Sequence, residues 1–221
     1  NLLVCFAVKE EASPFLEGRK GGGARVLVTG MGCRNTARAF AAALLQRIPD
    51  KVLTCGFAGG LKPELKRGTV VYETGDAPLK SDLYRAGAVP GRFLCVDRIV
   101  TTTEEKRALR QSSGADAVEM ESSAVQEECR KRGIPCATVR VILDEAGEDL
   151  PLDFNVVMTH EAGMSWVKLM MALVVGTMIF TVSGCREKST EEKLKDAATS
   201  LQKDATKAAD EAKKDASKAL D

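Results

Sequence analysis

Short apolar runs alternate with amphipathic stretches over residues 1–152. Continuous apolar runs predict buried strands, and apolar residues repeating every three or four positions predict helices. On this basis we expect strands at 1–8, 25–29, 51–55, 69–73 and 135–143, and helices at 35–46, 101–110 and 122–132. The repeated succession of strand and helix predicts an α/β fold, a three-layer αβα sandwich around a twisted, mostly parallel sheet.

Local signals set the expected ends of some elements. Thr103, Glu104 and Glu105 supply a cap and an acidic first turn for the helix at 101–110. Gly133 is expected to stop the helix at 122–132. The strand at 51–55 is expected to end at the glycine-rich turn 56–61.

The pattern changes after residue 149. Residues 164–185 are almost uncharged, whereas residues 186–221 are rich in Lys, Asp and Glu, with a stripe made mostly of Ala at helical spacing. We therefore predict a globular domain at 1–163, an apolar helix at 164–185 and a low-complexity, Ala/Lys-rich helical tail at 186–221.

Three interpretations of the apolar segment remain open. It is a core helix that covers the sheet, or a membrane anchor through residues 167–185 that holds the protein at the inner face of the cell membrane. In the third interpretation it is an internal lipoprotein signal, because Val182-Ser183-Gly184-Cys185 has the form of a lipobox after an apolar run. A signal inside a chain would indicate two fused reading frames.

Composition narrows the function classes. A net charge of +1 argues against a globally basic nucleic-acid binder, so no nucleic-acid partner is expected. A single histidine, His160, excludes a mechanism that needs two histidines. The seven cysteines include no C-x-x-C pair, which favours reduced, buried thiols and a cytoplasmic location.

Glycine-containing turns follow three predicted strands, at 29–32, 56–61 and 144–147. Ligands of open parallel sheets bind at the carboxyl ends of strands, where such turns cluster. The first turn lacks the third glycine of G-x-G-x-x-G, and no Walker lysine lies near any of them. A dinucleotide or P-loop site is therefore not expected.

Two pairs of charged residues, one of them immediately before a predicted helix, have two interpretations each. Glu119 and Glu121, two positions apart, would grip the vicinal hydroxyls of a sugar, or else form an exposed acidic helix start. Arg140 and Asp144 lie near the end of an apolar strand, where a charge is either paired for structure or used in chemistry.

Five segments in a fixed order carry a family resemblance: FAVKEEASPF at 6–15, VTGMGCRNTARAF at 28–40, TCGFAGGLKPELKRGTVV at 54–71, AVEMESSAV at 117–125 and TVRVILDEAGEDLPLDFN at 138–155. The chain resembles the nucleoside phosphorylase and nucleosidase superfamily, which includes 5′-methylthioadenosine/S-adenosylhomocysteine nucleosidase. Within it, the sequence is most similar to the bacterial hopanoid-associated phosphorylase type. The resemblance implies cleavage of the N-glycosidic bond of a purine nucleoside or 5′-modified adenosine, an adenosylated hopane lipid included.

The resemblance also implies site residues. Glu11 matches the glutamate that activates water, and Asp144 matches the acid that protonates purine N7. Arg140 matches an arginine that positions the site, and Glu121 matches the glutamate on the 2′ and 3′ hydroxyls of the ribose. The remaining predicted substrate-binding residues are Phe57, Ala58, Gly59, Ile99, Val100, Glu119 and Met120.

Departures from the family keep two alternatives open. Thr54 stands where several phosphorylases have arginine, and Glu11 favours water over phosphate. Phe57 and Leu143 replace polar residues, which favours a catalytically degenerate nucleoside-binding or scaffold domain as the alternative function. Arg34, Arg38 and Lys9 would contact phosphate only if the fold brought them close.

The resemblance further implies the partners. No metal or organic cofactor is implied, and inorganic phosphate would be a co-substrate if the enzyme is a phosphorylase. The expected partners are a small nucleoside and, as a homodimer, a second copy of the chain.

Overall fold

The computed structural model describes residues 1–18 and 23–150, which fall within one compact unit. The predictions for 164–185 and 186–221 lie outside the described residues. The helices of the described part are α1 (Lys9–Gly18), α2 (Cys33–Gln46), α3 (Ala77–Arg85), α4 (Thr103–Ser113) and α5 (Ser122–Arg132). Its strands are β1 (Leu2–Phe6), β2 (Ala24–Val28), β3 (Lys51–Gly60), β4 (Val70–Thr74), β5 (Val89–Pro90), β6 (Phe93–Cys95), β7 (Ala117–Glu119) and β8 (Cys136–Asp144).

The strands of the described residues form one mixed sheet with the order β2-β1-β3-β8-β4-β5, and β7 joins β3 to β6. The central pairs β1–β2, β1–β3 and β3–β8 are parallel, whereas β4 runs antiparallel to β8 and β7 antiparallel to β3. The prediction of a mostly parallel sheet is confirmed.

Helices cover both faces of the sheet. Successive residues of β1 point to opposite faces, and each set packs against different helices. On one face Leu3 packs in a cluster with Phe40 of α2 and Val125 of α5. On the other face Val4 packs with Ala12 of α1. This alternation gives the predicted helix–sheet–helix layering.

Several predicted boundaries are wrong. The first strand ends at Phe6, not at residue 8, and is followed by α1, which the periodicity did not reveal. The helix predicted at 101–110 begins at Thr103, and its cap is Thr102, whose hydroxyl accepts the N–H of Glu105 at 3.2 Å. Helix α3 and strands β5, β6 and β7 were not predicted either.

The most consequential correction concerns the segment predicted as a glycine-rich turn after residue 55. This segment continues as strand β3 to Gly60, because it pairs with the long strand β8 as far as Asp144. Local preference favours a turn at such a glycine-rich segment, but the hydrogen bonds to a neighbouring parallel strand hold it extended.

Candidate active site

The parallel pair β3–β8 places two rows of residues side by side at the edge of the sheet formed by the carboxyl ends of the central strands. Gly56 lies opposite Arg140, and Gly59 lies opposite Asp144. On the other side of β3, Gly59 pairs with Val118 of β7, so the next residue, Glu119, reaches the same edge. Tertiary pairing therefore gathers side chains that are far apart in sequence.

One cavity opens at this edge. It is lined by Glu11, Asp144 and all the other predicted site residues except Arg140, which lies buried behind it. The lining also includes residues that the sequence analysis did not single out, namely Ala7, Val8, Met31, Val96, Arg98, Val118 and Leu150. Most of these are apolar and look like ordinary core residues, so no sequence signal distinguished them.

Glu11, at the start of α1, reaches back to the ends of β1 and β3. Its Oε2 accepts the backbone N–H groups of Ala7 at 3.0 Å and Val8 at 3.3 Å, and its Oε1 accepts that of Phe57 at 3.1 Å. Burial raises the pKa of Glu11, although Arg140 and these N–H groups oppose the shift. A carboxylate with a raised pKa is a better proton acceptor near neutral pH.

Arg140 is the buried cation of the site. It is 2% exposed, and it donates to the Thr54 carbonyl at 2.7 Å and the Thr54 hydroxyl at 3.1 Å. Its Nη2 lies 2.7 Å from Glu119 Oε2 and 3.9 Å from Glu121 Oε2. Thr54, which stands where several phosphorylases have arginine, therefore anchors an arginine that comes from the neighbouring strand.

The carboxylate oxygens of Glu119 are hydrogen-bonded to several groups within the protein. Besides Arg140, its carboxylate accepts the Glu121 N–H at 3.0 Å, the Ser122 N–H at 2.8 Å and the Ser122 hydroxyl at 2.7 Å. Burial alone would raise the pKa of Glu119, but Arg140 and these donors outweigh it and hold the pKa below its usual range. Glu119 is suited to fixing Arg140 and the start of α5, and its place in the ribose grip stays a prediction.

Glu121 has more freedom at the cavity wall. Its Oε1 accepts the Gly32 N–H at 2.9 Å, and Oε2 lies no closer than 3.9 Å to Arg140. Burial raises the pKa of Glu121 to about 7, and the nearby carboxylates of Glu119 and Glu11 add to that effect. Of the two glutamates, Glu121 has the oxygen that is better placed to meet a ligand hydroxyl.

Asp144 lines the same cavity. It ends β8, is 6% exposed, and its Oδ2 lies 2.5 Å from Nζ of Lys106 on α4. Burial raises the pKa of Asp144, and Lys106 opposes that shift. The sequence analysis missed Lys106, because a lysine in a charged helical segment carries no signal that it is buried.

The basic residues suggested for phosphate lie elsewhere. Lys9, Arg34 and Arg38 are exposed and do not line the cavity. Among the described lining residues the one cation is Arg98, which is ion-paired with Glu105. In the described part of the chain, no helix is long and apolar enough to cross a membrane.

The sequence matches the family model described as the phosphorylase superfamily over residues 4–75 and 77–179. This chain belongs to the phosphorylase superfamily. The resemblance stated from the five sequence segments is thus confirmed at the level of the superfamily.

Among superfamily members, a 5′-methylthioadenosine/S-adenosylhomocysteine nucleosidase of Shewanella halifaxensis is 26% identical over 170 residues, covering 60% of this chain and 74% of that protein. An aminodeoxyfutalosine nucleosidase of Campylobacter jejuni is 29% identical over 147 residues, covering 52% of this chain and 64% of that protein. A solved Neisseria meningitidis 5′-methylthioadenosine/S-adenosylhomocysteine nucleosidase, in complex with methylthio-immucillin-A, superposes with a TM-score of 0.61 at 24% identity. That superposition covers 80% of this chain and 98% of the solved chain, and it shows a shared fold.

Proposed function

We propose that this enzyme cleaves the N-glycosidic bond of a purine nucleoside or a 5′-modified adenosine and releases the free base, with water as the nucleophile. The observation that carries the proposal is the convergence of Glu11, Glu121 and Asp144 on one otherwise largely apolar cavity. The names of the related nucleosidases support the same reaction class.

The reaction develops opposite charges on the sugar and on the base, and different residues of the cavity face each of them. As the bond between C1′ and the base breaks, its electron pair passes to the base and positive charge develops on the sugar. Glu11 supplies negative charge to the sugar side, where Glu121 meets a sugar hydroxyl, and Asp144 donates a proton to N7 of the leaving base. Glu11 takes a proton from the attacking water, and the products are the base and the free sugar.

Water is favoured over phosphate because Glu11 already occupies the backbone donors that an anion would need. Three N–H groups, from Ala7, Val8 and Phe57, converge on its carboxylate. A phosphate placed there would meet a like charge, and the described lining offers it no unpaired cation. These contacts argue for hydrolysis.

The experiment is an assay of base release from methylthioadenosine, adenosine and inosine, with and without phosphate, followed by identification of the sugar product. We expect free sugar even at high phosphate. Strict dependence on phosphate with sugar 1-phosphate as product would overturn the choice of nucleophile, and no base from any substrate would overturn the reaction itself.

The alternative, a degenerate nucleoside-binding or scaffold domain, is not favoured, because the candidate acid and base are both present at the cavity. It remains distinguishable by assay. If base release survived both Asp144→Asn and Glu121→Ala unchanged, in proteins purified identically, the activity would come from a contaminant.

Finer assignments stay predictions. A substrate carrying a large apolar 5′ group, such as an adenosylated lipid, belongs in the assay because the described cavity lining is largely apolar. Homodimer formation is tested by light scattering. Cytoplasmic location and membrane association through residues 167–185 are tested by fractionating cells that express the full chain or the chain truncated after residue 173.

A further inference from the structure

Lys106 is a fully buried lysine beside the proposed acid. Its exposed fraction is 0%, and lysine is almost never buried to that extent unless it is paired. Its Nζ lies 2.5 Å from Asp144 Oδ2 and donates to the carbonyl oxygens of Glu145 at 2.8 Å and Glu148 at 2.6 Å. Three oxygens therefore surround the ammonium group, and one of them belongs to the site.

We infer that Lys106 is a positioning residue for Asp144: it holds the Oδ2 side of the carboxyl group and stabilises the negative charge left on Asp144 when its proton passes to the base. The inference rests on the proposed function, in which Asp144 is the general acid.

The carboxyl group of Asp144 has a charged contact and a close backbone neighbour. Lys106 contacts Oδ2, and the carboxyl group also lies close to Gly59 of β3, where an added Cβ would stand 3.2 Å from Oδ2 and 3.5 Å from Oδ1. The carbonyls of Glu145 and Glu148 hold Nζ in place, so the cation is itself preorganised. A preorganised charge aimed at a developing anion stabilises the transition state more than the ground state.

Of the charged groups around Asp144, Lys106 is the cation in direct contact with it. Burial raises the pKa of Asp144, Lys106 lowers it, and the more distant Glu148 and Arg67 act in opposite directions. Glu148 and Arg67 are ion-paired with each other at 2.7 Å. Loss of Lys106 would therefore leave a weaker acid in an apolar site.

A purely structural role for Lys106 predicts a different outcome. If Lys106 only holds the loop at 145–148 in place, its loss would lower the cleavage rate of every substrate equally. If Lys106 acts on the acid, its loss would lower the cleavage rate only for substrates whose leaving group needs a proton. A purine needs one, whereas p-nitrophenolate leaves unaided, so p-nitrophenyl riboside tests the remaining site without the acid.

The test compares wild type, Lys106→Met and Lys106→Gln on methylthioadenosine and on p-nitrophenyl riboside. Lys106→Gln keeps a hydrogen-bond donor for the loop carbonyls but has no charge. It replaces Lys106→Met in the test if that variant does not fold. We expect kcat on methylthioadenosine to fall about 10- to 100-fold, and kcat on the phenyl riboside to change by less than about threefold.

The matched control is Lys66→Met, which removes a lysine that pairs with Glu145 of the same loop at 2.9 Å but does not contact Asp144. It is expected to leave both activities unchanged. Equal losses on both substrates, or no loss on either, would overturn the inference. A wild-type protein that releases no purine would overturn the proposed function instead.

The pH profile gives a second readout that a structural role would not move. The proposed acid must be protonated, so kcat/KM falls as pH rises through the pKa of Asp144. Without Lys106 that pKa is higher, and the alkaline limb should move up by about one pH unit or more. An unmoved limb in a folded Lys106→Gln variant would contradict the inference even if the rate falls. If wild type does not cleave the phenyl riboside, this profile decides.

Discussion

The carboxylate of Glu11 lies directly against the backbone of Gly56. A Cβ atom added at Gly56 would stand 2.7 Å from Glu11 Oε1, closer than such a contact allows. Glycine is therefore favoured at this point of β3 both by the approach of Glu11 from α1 and by a backbone φ of +153°.

The first prediction follows from that contact. Gly56→Ala should displace the Glu11 carboxylate by some tenths of an ångström or more and lower kcat for base release about 10- to 100-fold. Gly87→Ala is the control for an unfavourable backbone conformation alone, since Gly87 has a φ of +88° and nothing lies within 4 Å of a Cβ there. Steady-state kinetics and thermal unfolding of both variants check this, and a fully active Gly56→Ala enzyme would contradict the role of Glu11.

The second prediction concerns the acid. Asp144→Asn keeps the shape of the side chain but removes the proton donor, so base release from methylthioadenosine should fall about 10²- to 10⁴-fold. Asp82→Asn, on the exposed face of α3, should leave the rate unchanged. Retained activity in Asp144→Asn would move the acid to another residue.

The third prediction links Glu121 to stability. Its pKa is raised from 4.5 to about 7, so the folded state holds a proton that the unfolded state releases between those values. The resulting stability is present below pH 4.5 and is lost as pH rises to about 7. Glu121→Gln should therefore be more stable than wild type at pH 8, by on the order of 2 kcal/mol, while losing activity.

Urea unfolding of wild type and Glu121→Gln at several values from pH 5 to 8 measures this. Glu64→Gln, an exposed change of the same kind, controls for the loss of one carboxylate. Parallel stability curves for wild type and Glu121→Gln would show that Glu121 is not protonated in the folded protein.

The fourth prediction concerns the buried pair of Arg140 and Glu119. Arg140→Met leaves the Glu119 charge buried without its cation, which should lower the free energy of unfolding by about 3–5 kcal/mol. The double variant Arg140→Met/Glu119→Gln should recover part of that loss, because position 119 then carries no unpaired charge. Denaturant unfolding of both checks this, and equal stability of single and double variants would contradict it.

The exposed pair of Arg130 and Glu127 provides the comparison. It spans one helical turn of α5 with side chains 75% and 46% exposed. Arg130→Met should leave the free energy of unfolding nearly unchanged, because water already solvates both charges.

The sequence by itself determined much of the layered fold. The strands that became β1, β2, β4 and β8 are short apolar runs, and β1 and β8, which lie inside the sheet, are largely buried on both faces. The helices that became α2 and α5 show the expected periodicity, and Gly133 ends α5 in the left-handed conformation, at φ 65°, that glycine adopts most readily. The family segments also named Glu11, Glu121 and Asp144 before any geometry was known.

Only the tertiary structure decided how these groups act. Residues 56–60 are glycine-rich and predict a turn, but pairing with β8 extends them as strand and brings Gly56 against Glu11 and Gly59 against Asp144. Arg140 and Lys106 acquire their roles from buried neighbours that periodicity does not specify. Sequence pattern reports which face of an element is apolar, whereas the charge state of a carboxylate depends on the distances and burial that strand order creates.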